Sequence, residues 1–191
     1  MIKKTGLLFF AAILGSNAGI AGSYLQTNFT KYYTISPRTA QDIARELNWR
    51  SPIHENGNTF HGHTDWNISW NYQVQQLPDG SCALTNIQTS IETKYTLPKL
   101  DERITNQDII SRFNRFDKAL TKHEHNHGAN GLKAVSEIDE ALHTLTPQRN
   151  CRQLDQHANQ IGHNIVRKYI AIDNEYDRST QNGRTEGAYI Q

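Results

Sequence analysis

The sequence predicts an α+β fold, a small antiparallel sheet packed on two long antiparallel helices. Three features predict it. Trp66-Asn-Ile68-Ser-Trp70-Asn-Tyr72-Gln-Val74 alternates strictly between apolar and polar residues, the period of a half-buried strand. After the turn Pro78-Asp79-Gly80-Ser81, a run from Cys82 to Leu97 puts Leu84, Ile87, Thr89, Ile91 and Thr93 largely on one side, completing a hairpin. Beyond Pro98, which closes the sheet half, apolar residues recur at three- and four-residue steps through two long stretches.

Taken in order, Lys3 and Lys4 precede an apolar run from Gly6 to Leu14 and then small residues up to Gly22. That is the layout of a signal peptide, residues 1–21, and the run is too short to span a bilayer. The remaining residues, 22–191, are the length of one domain. The protein is therefore expected to be exported, periplasmic or secreted, with no stable membrane insertion after cleavage. Thr27–Ser36, rich in Thr and Tyr, reads as a strand ended by Pro37. Ala40, Ile43, Ala44 and Leu47 then give a short helix over 39–47. Residues 51–65 read as a loop. Its His54, His61 and His63 are ordinary loop histidines at this density, although His61-Gly-His63 could bind a metal.

The first long helix opens at a capping box, Thr105-Asn-Gln-Asp108, and its pattern runs to Leu145, about 60 Å. Gly128 and Gly131 mark a bend or a close helix contact. Thr146-Pro147 ends it and starts the next helix with Pro at its first position. Leu154, Ala158, Ile161, Ile165, Tyr169, Ile172 and Tyr176 form the stripe of that second helix, and the tail from Ser179 is polar. An exported chain can bridge its only two cysteines, Cys82 and Cys151, which would close a loop of about 70 residues and stabilise the fold by ~4 kcal/mol. With a net charge of +1 and no dense basic cluster, neither nucleic acid nor anionic lipid is an expected partner. A Gly-rich phosphate loop is absent, and the cysteines read as a bridge rather than a nucleophile.

Chemistry concentrates in His123-Glu124-His125-Asn126-His127, which contains the pattern H-E-x-x-H. On a helix, residues i and i+4 share a face, so His123 and His127 can share a metal ion, with Glu124 beside them to activate water. Both histidines continue the apolar stripe of Ile109, Phe113, Phe116 and Leu120, which turns them inward rather than to solvent. Catalytic zinc needs a third protein ligand. Reflecting the pentad about Thr146 lands near Arg167, so His163 is one candidate. Asp173, Glu175 and Asp177 are others, placed at or beyond the helix end. Spacing alone does not choose among them.

The ordered set Thr96-Leu97-Pro98, His-Glu-x-x-His, Cys151-Arg-Gln-Leu154 and Tyr176-Asp177-Arg-Ser-Thr180-Gln-Asn-Gly183-Arg-Thr-Glu-Gly187-Ala188 resembles a bacterial domain-of-unknown-function family described as predicted secreted zinc-dependent proteases. The early Tyr-Thr-Ile-Ser strand, the Trp-rich strand and Cys82 after a Gly are similar too, so the resemblance covers nearly all of the chain after the leader. It implies a zincin-like fold with the pentad on the first long helix. It also implies zinc held by His123, His127 and Asp177, and Glu124 as general base. Tyr176, or a neighbouring His such as His163, is a further catalytic candidate, for the oxyanion. The family's tail carries a His where this chain has Asn182.

The expectation is an exported zinc-dependent peptidase acting on a protein or peptide substrate. The alternative is an exported, non-catalytic zinc- or peptide-binding protein that keeps the protease fold.

Overall fold

In the computed structural model, which describes residues 24–190, the chain enters through strand β1 (Leu25–Ile35). The expected leader lies outside the described residues. A 3-10 turn at Ala40–Asp42 leads into α1 (Ile43–Arg50). Thr39 fixes this start, since its backbone N–H and its hydroxyl both donate to the Asp42 carboxylate. Residues 51–65 are not all loop: β2 (Ile53–Glu55) and β3 (Asn58–Phe60) pair as a small antiparallel hairpin turned at Asn56-Gly57, both with positive φ. The long hairpin follows as β4 (His63–Gln76) and β5 (Cys82–Leu100). Two helices complete the fold, α2 (Gln107–His143) and α3 (Cys151–Thr180), with a last 3-10 turn at Arg184–Glu186.

The fold is α+β, but the main sheet is mixed rather than antiparallel. Its strand order is β1-β5-β4, with β4 antiparallel and β1 parallel to β5. A tight turn forces β4 and β5 to be antiparallel. β1 reaches β5 only after α1 and three intervening strands, long enough for a crossover to a parallel neighbour. Pro98 does not end the sheet but lies inside β5. Pairing with β4 stops at His63–Thr96, so Pro98 has β1 alone beside it, where a missing N–H is tolerated. A bulge sets Asn86 and Ile87 of β5 against the single residue Tyr72, with Asn86 at φ +50°. It restores Leu84 and Ile87 to the same face, and both pack on the helices.

The helices also begin and end elsewhere than expected. Asn106, not Thr105, caps α2, its side-chain oxygen accepting from the N–H groups of Asp108 and Ile109. Asn150 caps α3 in the same way from Arg152 and Gln153, so Pro147 belongs to the connection and not to the helix. A side-chain acceptor satisfies orphan N–H groups that Pro at the first position would merely remove. α2 runs through Gly128 and Gly131 without a break. These glycines are close-contact points: Tyr95 Oη lies over Gly128, and a Cβ on Gly131 would be 2.8 Å from Trp66 Cγ. Ion pairs in reversed order, His123–Asp177, His127–Asp173 and Lys168–Glu137, show α2 and α3 to be antiparallel. A Cys82–Cys151 disulfide ties the start of β5 to the start of α3. Among the described residues, no helix is long and apolar enough to cross a membrane.

Two apolar clusters share α2. Ile109, Phe113, Phe116 and Leu120 pack with Ile35, Ile43, Leu47 and Leu97. Ala134, Ile138 and Leu142 pack with Ala158, Ile165 and Tyr169, under Trp66 and Trp70. Between them, the buried positions of α2 are His123, Glu124, His127, Gly128 and Gly131. The polar pentad therefore sits at the seam between two cores, held from both sides.

Close helix–sheet approach gives a test whose sign separates two effects. Ala at position 162 would gain about 1 kcal/mol of helix propensity over Gly, but its Cβ would be 2.5 Å from Trp70 Cζ2. Overpacking costs about 1–3 kcal/mol, so Gly162→Ala is expected to lower unfolding stability in a urea titration. A gain would mean that Trp70 yields freely.

Candidate metal centre

His123 and His127, one turn apart on α2, point at the same atom, Asp177 Oδ1 on α3. The Nε2 atoms lie 3.1 and 3.0 Å from it and 3.3 Å from each other. The opposite ring nitrogens are already engaged: His123 Nδ1 is 2.9 Å from Glu186 Oε2, and His127 Nδ1 is 3.1 Å from Asp173 Oδ1. A carboxylate only accepts, so each Nδ1 carries a proton, and in its neutral form each ring turns an Nε2 lone pair toward Asp177. With both rings neutral, three acceptor atoms converge on one point that a metal ion would fill. Tetrahedral zinc with ligands at 2.0–2.2 Å places its donors about 3.3 Å apart, and the observed triangle is close to that. The group of His123, His127 and Asp177 could hold a metal ion, and its donor set and spacing fit zinc.

The orienting shell is built to match. Asp173 Oδ1 also accepts from Asn130 Nδ2, and its Oδ2 accepts from Trp66 Nε1. Glu186 Oε2 accepts from the Tyr176 hydroxyl, which in turn accepts from Asn126 Nδ2. The Tyr176 ring stacks on His123 at 4.8 Å. Both imidazole–carboxylate pairs resemble the arrangement that fixes ring orientation in metal sites and makes the other nitrogen more basic.

Glu124 is buried beside the donors. Its Oε2 accepts 2.7 Å from the Thr64 hydroxyl, and a Cβ on Gly62 would be 2.6 Å from Oε1. Burial pushes the Glu124 carboxyl up, against the opposing pull of Thr64 and the two imidazoles. Burial alone would lower His127, but its two aspartates outweigh this and raise it to about 10. His123 is raised by Asp177 and Glu186 over the opposite effect of burial. Burial opposes ionisation of Asp177, yet the imidazoles hold it below the usual carboxylate range. With no metal, protons occupy the point where the lone pairs meet.

These groups open into a cleft of about 560 Å³ between α2, α3, the residues leading into β4 and the C-terminal turn. That turn is possible because Gln181, Asn182 and Gly183 all have positive φ. A Cβ on Gly183 would be 3.0 Å from His123 Cγ, so the glycine lets the tail close on the ring.

Of the sequence candidates, His123, His127, Glu124 and Asp177 come together. Tyr176 is also present, but its hydroxyl is spent on Glu186 and Asn126. His163 is elsewhere, exposed and edge-on to Trp70 at 5.2 Å. Glu175 is exposed and paired with Arg178. Asp173 and Asp177 are not beyond the helix end. α3 continues to Thr180, and the two His–Asp pairs reflect about residue 150 rather than 146 because residues 144–150 connect the helices. Asn182 borders the cleft, and the three-donor group is complete without it. Glu186, Thr64 and Gly62 carry no sequence signal of their own. Asp173 did, since with Asp177 it repeats on α3 the i, i+4 spacing of the histidines.

Fold and site together define an α+β protein with a two-histidine, one-carboxylate group on a facing helix pair. The chain belongs to the family described as bacterial protein of unknown function (DUF922), whose profile matches residues 30–184. No curated protein and no solved structure matches it.

Two outcomes test the centre. His127 holds its proton more tightly folded than unfolded, where its pKa is about 6.5. That stabilisation is full below pH 6.5 and is lost as pH rises toward about 10. The melting temperature of the metal-free protein should fall across that window. The increment produced by zinc should grow, because zinc displaces the proton. In addition, Glu186→Ala should weaken zinc binding about 10- to 100-fold in a competition titration with a chelator.

Proposed function

We propose that this chain is an exported zinc-dependent peptidase with a zincin-like site, in which His123, His127 and Asp177 hold zinc and Glu124 is the general base. The single observation that carries the reading is the buried Glu124 carboxylate standing beside three converging acceptor atoms at the foot of an open cleft. Bound zinc supplies Lewis acidity toward water and toward the oxygen of the scissile carbonyl. Glu124 takes the proton of the attacking water and returns it to the leaving amine. Thr64 anchors one of its oxygens, and Gly62 keeps the space by the other free of a side chain. Burial raises the carboxyl, which makes it a stronger base in its ionised form.

A peptide is the substrate class the cleft favours. Among the described residues β4 pairs only with β5, so its other edge offers free backbone groups, and Thr64 at its start lines the cleft. An extended chain can add there by main-chain hydrogen bonds. Tyr176 acts in this reading through His123 and Glu186, as a positioning residue, because an oxyanion role would require its hydroxyl to leave both partners.

The test is Glu124→Gln in the zinc-loaded protein, assayed on a broad peptide mixture. Zinc content should stay at the wild-type level while hydrolysis falls at least about 100-fold. Full activity in this variant would refute the mechanism. Wild-type protein that holds zinc and cuts nothing would favour the non-catalytic binding protein.

A further inference from the structure

We propose that the groove between β4 and α3 is a specificity subsite that takes one apolar or aromatic side chain of an extended peptide lying along the edge of β4. The inference rests on the peptidase reading and adds to it which residue of the substrate is recognised and by what.

The groove, of about 390 Å³, is continuous with the metal cleft, because Thr64, Asp173 and Asn174 line both. Its floor is the α3-facing side of β4, Trp66, Ile68 and Trp70, and its wall is Val166 and Ile170 of α3. The indole N–H groups of the floor are already committed, Trp66 to Asp173 and Trp70 to Asn159. What the floor itself offers a ligand is ring face and aliphatic surface, with His163 and Asn174 of α3 as polar residues also lining the groove. Ile170 is 46% exposed at the rim, although its neighbour Tyr169 is buried.

The position of the groove follows from the sheet. It lies where the inward side chains of a fourth strand, next to β4, would pack. Among the described residues β4 has no such neighbour. In a strand added to that edge every second side chain turns toward α3. Thr64 stands at the reacting end, and Trp66 and Ile68 follow two and four residues along. The side chain received by the groove therefore belongs to a residue roughly two to four positions from the scissile bond. Main-chain pairing is blind to sequence, so the groove is what makes binding selective.

The experiment compares the cleavage profile of a defined peptide mixture for zinc-loaded wild type, Ile170→Glu and Ile172→Glu. Ile172 is exposed on the same helix but does not line the groove. Wild type should favour Leu, Phe or similar residues at one fixed position by about tenfold or more over Gly. Ile170→Glu should abolish that preference and Ile172→Glu should keep it. A flat wild-type profile, or an unchanged one in Ile170→Glu, overturns the proposal. A second measurement needs no turnover: binding of short peptide hydroxamates with Leu or Gly at each position, to zinc-loaded Glu124→Gln. A Leu advantage at one position that disappears with Ile170→Glu added supports the subsite even if no peptide is cut. Equal binding of the Leu and Gly series sinks the subsite alone. No hydroxamate binding at all to the zinc-loaded protein sinks the peptidase reading and the subsite with it.

Discussion

Two imidazoles aimed at one carboxylate oxygen, each with its other nitrogen bonded to a second carboxylate, leave a point between them that calls for a cation. The arrangement cannot relax by rotating either ring. Turning His123 would break its bond to Glu186 and its stack on Tyr176, and turning His127 would break its bond to Asp173, which Trp66 and Asn130 hold in turn. Burying such a set costs several kcal/mol per uncompensated charge, so the surrounding fold must fix it firmly.

The rest of the architecture can be understood as that support. α2 supplies apolar residues on both sides of the pentad, and each stretch anchors in its own cluster. The site needs α3 close and in register, and glycines provide the approach. Gly131 and Gly162 let the two indoles of β4 lie against the helices, which brings Trp66 within reach of Asp173. The sheet thereby helps to orient His127 through Asp173. The tail closes the other side, where three successive residues with positive φ turn the chain back and bring Glu186 to His123.

Much of this was legible in the sequence, for local reasons. Alternation over 66–74 and the stripes on either side of Thr146 are short-range patterns, and they became β4, α2 and α3. The histidine pair was legible because i, i+4 spacing means one face of a helix. The matching pair Asp173 and Asp177 was written in the same spacing, but the assumed pivot at 146 assigned those residues to a helix end. Asn56-Gly57 is a hairpin signal that the histidine-rich context obscured. The parallel pairing of β1 with β5 joins residues more than sixty positions apart, and no local pattern encodes it. Glu186 was illegible for a related reason. Its place depends on an irregular turn whose conformation comes from Gln181, Asn182 and Gly183 together.

The central proposal is that the metal is one zinc, held by two imidazole nitrogens and one carboxylate oxygen. Zinc X-ray absorption on the protein loaded by equilibrium dialysis tests it most directly. The account predicts one zinc per chain with nitrogen and oxygen neighbours only, at about 2.0–2.2 Å, two of them showing imidazole scattering, and one neighbour altered in Asp177→Ala. Failure to retain zinc, or a shell unchanged by Asp177→Ala, would contradict it.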